Sequence, residues 1–453
     1  MSQTIEKKNP PIPPKAHWLL GNVKVFNKDR LGFLLKYQEE IGDVFQIKLP
    51  QGLLYVFGKP EYVKHVLQEN NKNYKKGLAY HSLRPLLGNG LLTSEGDFWR
   101  KQRRLAQPSF HKARIEEFAK TMIACVNEML EKWDKNYKDG DLININTEMN
   151  HLALMIVSRS LFKSDISKTI DKIGKNLYIL MEGAARRIRS PFMLPPWVPT
   201  PYNLRQKKSL SLLNEIIGGI IDNRRKNNQK YDDLLDMLMD VRDEDTGEGM
   251  DNEQLKDEVM TIFMAGHETT AVALAYAFLA ICENPDVDER LKKEADTIAL
   301  SNQDILSSIR EQEYTGQIIH EVLRLYPPAW VVSRRAIEED EVGGFYVPPK
   351  TDILMSPFAI QRNPDIWENP EKFDPCRFEK EKMKAMHRYA YFPFGGGPRL
   401  CIGDQFALME MQVALPLIRK RYKFRKQDSY KLELEPLITM RPKNDIYLYI
   451  ERV

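Results

Sequence analysis

The sequence predicts a mainly α-helical protein with a minor β-rich part, organised as a single domain over residues 1–453. Helical spacing of apolar residues extends over about 115–239, and the apolar stretch 259–282 predicts a long buried helix. Alternating and turn-rich segments near the N-terminus and around 331–357 predict the β part. With 42% hydrophobic residues the chain can bury a large core, and no linker-like or repeated segment divides it.

The N-terminal part predicts an extended segment followed by two paired strands. Residues 1–8 lack the apolar core of a signal peptide or membrane anchor, and the Pro-rich run 10–14 favours an extended chain over residues 1–20. Apolar residues alternate with polar ones over 45–49, and Leu54 and Val56 alternate with Tyr55 and Phe57, which predicts a strand pair. We therefore expect no transmembrane anchor at this end.

Two features of the middle of the chain decide between a core helix and a membrane span. Residues 191–201 contain five prolines, which predicts a loop with an apolar face, suited to a substrate lid or a membrane-touching patch. The stretch 259–282 is long enough to cross a bilayer, but Glu268 lies in its middle and would be costly in lipid. The sequence therefore predicts a helix through the protein's own core.

Charge and cysteine content narrow the functional class. A net charge of +4 is too small to indicate nucleic-acid binding, although basic residues cluster at 100–104. Such a cluster is usually only a solvated face. Four cysteines do not make a disulfide framework in a chain of this size, which is typical of a reducing compartment. We expect a soluble, cytoplasmic protein.

The most specific pattern is the segment 394–403, with the sequence Phe-Gly-Gly-Gly-Pro-Arg-Leu-Cys-Ile-Gly. Glycines allow positive φ angles and a close approach of bare backbone. Backbone amides aimed at the sulfur of Cys401 would favour its thiolate form, and Arg399 is suited to pairing with a carboxylate. The segment therefore predicts a metal-binding thiolate presented by backbone.

Other uses of a glycine-rich cysteine loop fit the segment poorly. A phosphate-binding loop would carry Lys-Ser or Lys-Thr after its last glycine, and the sequence there is Ile402-Gly403-Asp404. A phosphatase-type cysteine would want an arginine six residues on, where Ala407 stands. A zinc site would need partner ligands at short spacing, and no other cysteine provides them.

The segment resembles the cysteine-ligand loop of the cytochrome P-450 family, Phe-x-x-Gly-x-Arg-x-Cys-x-Gly, and the resemblance extends over nearly the whole chain. It implies a cytochrome P-450-like fold with haem b buried between the long central helix and this loop. It also implies that Cys401 is the axial ligand of the haem iron. Arg399, Phe394 and Gly395 would be cofactor-binding residues.

A second motif lies inside the long helix, where residues 265–270 read Ala-Gly-His-Glu-Thr-Thr. A glycine followed by an acid and alcohols is poor helix design, and Gly266 would let a flat ligand approach. The segment resembles the family's oxygen-activation motif, which implies that Thr269 hydrogen-bonds the dioxygen being activated and that Glu268 relays protons. The alternative is a buried acid capped by local hydroxyls.

Glu321 and Arg324 are three residues apart, so they share one helix face. Apolar neighbours favour a buried pair over a surface ion pair. The resemblance implies that Arg377 joins them in a structural triad that shapes the Cys401 loop. The sequence departs from the family here, because Cys376 stands where a glutamate is usual.

The resemblance also assigns side chains to the two haem propionates. Trp99 and Arg103 are one helical turn apart and match the family's Trp-x-x-x-Arg pattern. Arg334, ten residues beyond Arg324, matches a propionate-binding arginine. Spacing alone leaves Arg335 open as the alternative.

The resemblance implies a haem-dependent monooxygenase that uses dioxygen to hydroxylate an apolar or lipid-like small molecule. No reductase domain follows the loop before Val453, so electrons are expected from a separate ferredoxin or flavodoxin with its NAD(P)H reductase. In the family, the basic cluster at 100–104 would lie where such acidic donors dock. Oxidative O-demethylation of a methoxylated molecule, such as a methylated sugar, stays open. So do a peroxygenase, an isomerase and a non-catalytic haem sensor or electron carrier.

Overall fold

The computed structural model describes residues 8–14, 17, 21–49, 52–110, 112–163, 169–189, 194–227, 230–231, 233–242, 247–298 and 305–453. Parts of the predicted N-terminal segment 1–20 and of the Pro-rich loop 191–201 therefore lie outside the described residues. The protein is 61% helical with small β-sheets, which confirms the predicted fold class.

The helices are α1 (Val23–Lys28), α2 (Arg30–Ile41), α3 (Pro60–Lys64), α4 (Arg84–Leu87), α5 (Gly96–Ala106), α6 (Lys112–Asn136), α7 (Ile145–Phe162), α8 (Ile170–Arg189), α9 (Pro201–Asn227), α10 (Leu234–Asp240), α11 (Asn252–Glu283), α12 (Pro285–Asp296), α13 (Ile305–Arg310), α14 (Glu313–Leu325), α15 (Pro357–Ile360), α16 (Lys380–Ala385) and α17 (Asp404–Arg421). The strands are β1 (Val44–Leu49), β2 (Gly52–Phe57), β3 (Tyr74–Lys76), β4 (Leu142–Asn144), β5 (Val332–Ala336), β6 (Asp340–Val342), β7 (Phe345–Val347), β8 (Asp352–Met355), β9 (Tyr422–Lys426), β10 (Leu434–Pro436), β11 (Met440–Pro442) and β12 (Tyr447–Arg452).

These elements form two compact units, each assembled from separate stretches of the chain. The first comprises Met1–Ser82, Arg324–Lys372 and Lys380–Cys401, and the second comprises Leu83–Leu323, Phe373–Glu379 and Ile402–Val453. The division follows no linker, because the chain passes from one unit to the other several times.

The first unit is built around a five-stranded sheet with the order β1-β2-β8-β5-β3. β2 runs parallel to β8, and the other neighbouring strands are antiparallel. The predicted strand pair is therefore present. The predicted alternation was wrong for β2, because Tyr55, Val56 and Phe57 are all buried. β2 is an interior strand with both faces covered, so its sequence need not alternate.

The second unit is organised around α11, which the sequence predicts as the long core helix. The Asp251 side chain caps its N-terminus by accepting a hydrogen bond from Gln254 N at 2.8 Å. Among the described residues, α11 is the one helix that passes a length-and-composition test for a membrane span. However, 78% of its most apolar window is buried inside the protein, and an apolar helix buried on all sides is typical of a core.

Candidate functional site

The loop 394–403 is held in a defined shape by its own backbone. Cys401 N donates to Phe394 O at 3.0 Å, and Leu400 N donates to Gly397 O at 3.1 Å. Gly395 adopts a φ angle of +74° and Gly397 a φ angle of +65°, a conformation that glycine adopts readily. Cys401 is exposed, whereas each of the other three cysteines is buried or partly buried. The loop therefore presents a single accessible thiol on a backbone-rich surface.

Two of the glycines also have no room for a side chain. A Cβ atom on Gly397 would lie 1.7 Å from the carbonyl oxygen of Leu67, and one on Gly396 would lie 2.3 Å from the ring of Tyr389. The glycine run is thus required by packing within the first unit as well as by the turn itself.

A buried hydrogen-bond network reaches this loop from α14. The Arg324 side chain is fully buried and donates to Gln361 O at 2.8 Å and to Lys372 O at 3.2 Å. Gln361, also fully buried, donates to Arg324 O at 2.9 Å and accepts from Phe392 N at 3.0 Å. Phe392 precedes the loop by two residues, so Gln361 connects Arg324 to the segment that presents Cys401. No motif in the sequence marks Gln361 for this role.

The other predicted members of the triad meet in the second unit. Glu321 is fully buried, and its Oε1 lies 3.5 Å from Arg377 Nε while accepting a hydrogen bond from Asp374 N at 2.7 Å. Arg377 and Glu321 therefore lie beside each other in this unit, and their role in shaping the Cys401 loop stays a prediction. The unusual Cys376 receives a contact of 3.4 Å from Arg290 Nη1, the kind of partner that would suit a glutamate at this position.

In the motif on α11, the acid and the alcohol each have another hydrogen-bond partner. Thr269 Oγ1 donates to Ala265 O at 2.8 Å, one turn back along the helix. Glu268 Oε1 accepts from Thr439 Oγ1 at 2.7 Å. Ala265 is exposed and Thr269 is partly exposed, although residues 261–264 are buried. This small-residue face allows a flat ligand to lie against the middle of the helix.

The structure gives Gly266 a role different from the predicted one. A Cβ atom there would lie 3.1 Å from Val157 Cγ2 of α7, so this glycine permits close packing of two helices. The assignment of Gly266 to the cofactor stays a prediction beside this packing role. The neighbouring His267 is buried, and burial followed by the charge of His151 lowers its pKa to about 3. His267 is therefore neutral at physiological pH.

The predicted propionate-binding residues lie on α5 and β5. On α5, Trp99 is buried and Arg103, one turn later, is partly buried, with its Nε 3.4 Å from Gln107 Oε1. On β5, Arg335 forms an ion pair with Asp352 at 2.9 Å. Arg334 points to the opposite, buried face and donates to Ser333 O at 2.9 Å. The geometry thus favours Arg334 over Arg335 as a partner for a ligand carboxylate.

The cytochrome P-450 family model matches residues 10–449, so the chain belongs to the cytochrome P-450 family. It is a haem-dependent monooxygenase. Members of this family bind haem b through a cysteine thiolate.

Several bacterial enzymes are similar along most of their length. The chain is 32% identical to cyclooctatin synthase of Streptomyces melanosporofaciens over 440 residues, covering 94% of this chain and 95% of that enzyme. It is 33% identical to cyclooctat-9-en-7-ol 5-monooxygenase of the same organism, covering 91% of each. It is 31% identical to pentalenene oxygenase of Streptomyces avermitilis, covering 88% of this chain and 86% of that enzyme.

The residues present fit a haem bound through a thiolate. The Cys401 loop offers an accessible sulfur on glycine-rich backbone, and Arg334 offers a buried guanidinium suited to a carboxylate. On α11, the exposed Ala265 offers a small side chain against which a flat macrocycle can lie.

Proposed function

We propose that the enzyme hydroxylates an apolar, hydrocarbon-rich small molecule, and that the thiolate of Cys401 would hold the haem iron. The accessible thiol on a loop in which two glycines have no room for a side chain is the observation that supports this assignment most strongly. Bound haem supplies the redox centre for dioxygen, and a thiolate ligand favours O–O cleavage. Arg399, Arg334, Trp99 and Arg103 bind the propionates, while Phe394 and Gly395 shape the cofactor contact.

The protein's own part of the reaction is to position substrate and to move protons. Thr269 can turn its hydroxyl from Ala265 O towards the reacting oxygen, because a threonine bonded to the previous turn can exchange that partner. Glu268 brings protons to the same face of α11 from its position against Thr439. Within the first unit, buried Arg324 acts through Gln361 to hold Phe392, two residues before the cysteine loop.

The substrate class is supported by the names of the similar enzymes. Pentalenene is by its name an unsaturated hydrocarbon, and cyclooctat-9-en-7-ol is an unsaturated alcohol. A hydrocarbon skeleton agrees with the apolar substrate expected from the sequence. Screening a panel of cyclic terpene hydrocarbons, fatty acids and methylated sugars by the haem spectral shift tests this choice. Binding restricted to methylated sugars would instead support O-demethylation.

Thr269→Ala is expected to lower product formed per NADPH consumed by about tenfold or more, because loss of the hydroxyl impairs controlled proton delivery. Electrons from NADPH and two protons would then convert dioxygen into hydrogen peroxide, while haem content stays unchanged. Thr269→Ser, which keeps the hydroxyl, should retain most of the coupling. Equal coupling in the alanine variant and the wild type would reduce Thr269 to a packing residue.

We further propose that electrons arrive from a separate acidic ferredoxin or flavodoxin, itself reduced by an NAD(P)H reductase, at the basic residues 100–104. Arg100 and Arg104 are both exposed on one face of α5. Within the chain, Arg100 pairs with Asp97 at 2.6 Å and Lys101 with Glu248 at 3.2 Å. These surface pairs offset part of the positive charge, and an acidic partner would compete with them.

The rate of reduction by an acidic ferredoxin should fall as ionic strength rises, because screening weakens long-range attraction. The double charge reversal Arg100→Glu/Lys101→Glu should slow reduction further without changing substrate affinity. Lys207→Glu/Lys208→Glu on α9 is the matched control, since both lysines are exposed and the net charge change is the same. Equal slowing by both pairs would place the docking surface elsewhere.

A further inference from the structure

The carboxyl group of Glu268 is bound by a residue far away in the sequence. Thr439 lies in the turn between β10 and β11, is buried, and donates its hydroxyl hydrogen to Glu268 Oε1 at 2.7 Å. Thr269, the immediate neighbour of Glu268, is hydrogen-bonded to Ala265 O instead. The hydrogen-bond partner of Glu268 is therefore Thr439 in the β10–β11 hairpin and not the neighbouring Thr269.

The hairpin also places a positive charge near this carboxyl group. Arg441 on β11 lowers the pKa of Glu268 electrostatically, which opposes the increase caused by burial. Arg441 is itself held by Glu435 Oε2 at 3.4 Å and Tyr178 OH at 3.2 Å. The charge of His151 on α7 acts on the neighbouring His267. Arg441 is thus the charged side chain that acts on Glu268 among the described residues.

We propose that Thr439 is a positioning residue for proton delivery: its hydroxyl orients the Glu268 carboxyl towards the β10–β11 turn and favours the carboxylate form. This inference rests on the proposed role of Glu268 in the monooxygenase reaction. A carboxylate can take up a proton from the hairpin side before passing it to the face of α11 that carries Thr269. Proton supply is then controlled by the C-terminal hairpin as well as by α11.

The direction in which Thr439 changes the pKa of Glu268 follows from the fact that its hydroxyl donates the hydrogen bond. A hydroxyl that donates to a carboxylate stabilises the ionised form, so its removal raises the pKa of Glu268 further above the usual value. A weaker acid releases its proton less readily, and proton delivery at neutral pH slows. Product formed per NADPH consumed should therefore fall in a variant that lacks the hydroxyl.

The test is a pH titration of the haem-loaded enzyme by infrared spectroscopy. The protonated carboxyl band of Glu268 is identified as the band that Glu268→Gln removes. Thr439→Val is expected to move the midpoint of this band up by about one pH unit, and Thr439→Ser to restore it. Thr439→Ala serves if the valine variant does not fold. The same midpoint in the wild type and in the hydroxyl-free variant would overturn the proposal.

Thr261→Val is the matched control, because the Thr261 hydroxyl is buried on the same helix and no described residue forms a hydrogen bond with it. In Thr261→Val, the midpoint of the Glu268 band and the product formed per NADPH consumed should equal those of the wild type. A midpoint shift as large as that of Thr439→Val would contradict the proposal. Product formed per NADPH consumed in Glu268→Gln separates a failure of the proton-relay role of Glu268 from a failure of the proposed Thr439 contact. If this ratio equals that of the wild type, Glu268 is not a proton relay, whereas the infrared midpoint of the Glu268 band still tests the contact with Thr439.

Discussion

Replacing Cys401 with alanine is expected to abolish the strongly red-shifted absorption band of the reduced, carbon-monoxide-bound enzyme, together with all monooxygenase activity. The band depends on a thiolate bound to the iron, and the accessible Cys401 thiol lies on the loop that resembles the family's ligand loop. The measurement is a difference spectrum of the purified variant after reconstitution with haem.

Cys376→Ser provides the control for this result. Cys376 is partly buried and contacts Arg290 at 3.4 Å, within the structural network around Glu321 and Arg377. Its replacement should leave the red-shifted band intact. Retention of the band in Cys401→Ala would assign the iron to another ligand and refute the proposed site.

Arg324→Leu should destabilise the protein by about 3–5 kcal/mol, since breaking a buried charged network leaves polar groups without partners. The guanidinium is fully buried, and its removal would deprive the carbonyl oxygens of Gln361 and Lys372 of their donor. Because Gln361 also holds Phe392 N, we expect weakened haem retention in addition to a lower urea midpoint.

Arg388→Leu is the matched control for this substitution in the same unit. Arg388 is exposed, and its side chain lies 6.0 Å from the centre of the Tyr389 ring. The free energy of unfolding of Arg388→Leu is expected to stay within about 0.5 kcal/mol of the wild-type value, because the substitution is on the surface. A comparable decrease in the free energy of unfolding in both variants would show that the buried network around Arg324 stabilises the protein no more than a surface residue does.

Local patterns in the sequence were sufficient to predict the fold class and several individual elements. The apolar stretch 259–282 became α11, and the strand pair near residues 45–57 became β1 and β2. The spacing of Glu321 and Arg324 correctly indicated buried side chains, because charged residues amid apolar neighbours on one helix face must enter the core with it.

Contacts between distant segments could not be predicted in this way. Gln361 and Thr439 lie in no recognisable motif, and their partners Arg324 and Glu268 are 37 and 171 residues away. Gly266 illustrates the same limit, since its need for space arises from Val157 on another helix. A sequence pattern reports the periodicity of one element, whereas these roles depend on which elements become neighbours.

The order of strands in the first unit has a consequence for how the protein is made by the ribosome. β2 is complete by Phe57, but the strand on its far edge, β8, pairs Leu354 with Val56 and is translated 298 residues later. At about 5–20 residues per second, that edge waits roughly 15–60 s for its partner. An unpaired strand edge attracts other chains during this interval, so yield in a recombinant host should depend on chaperones that shield nascent β2.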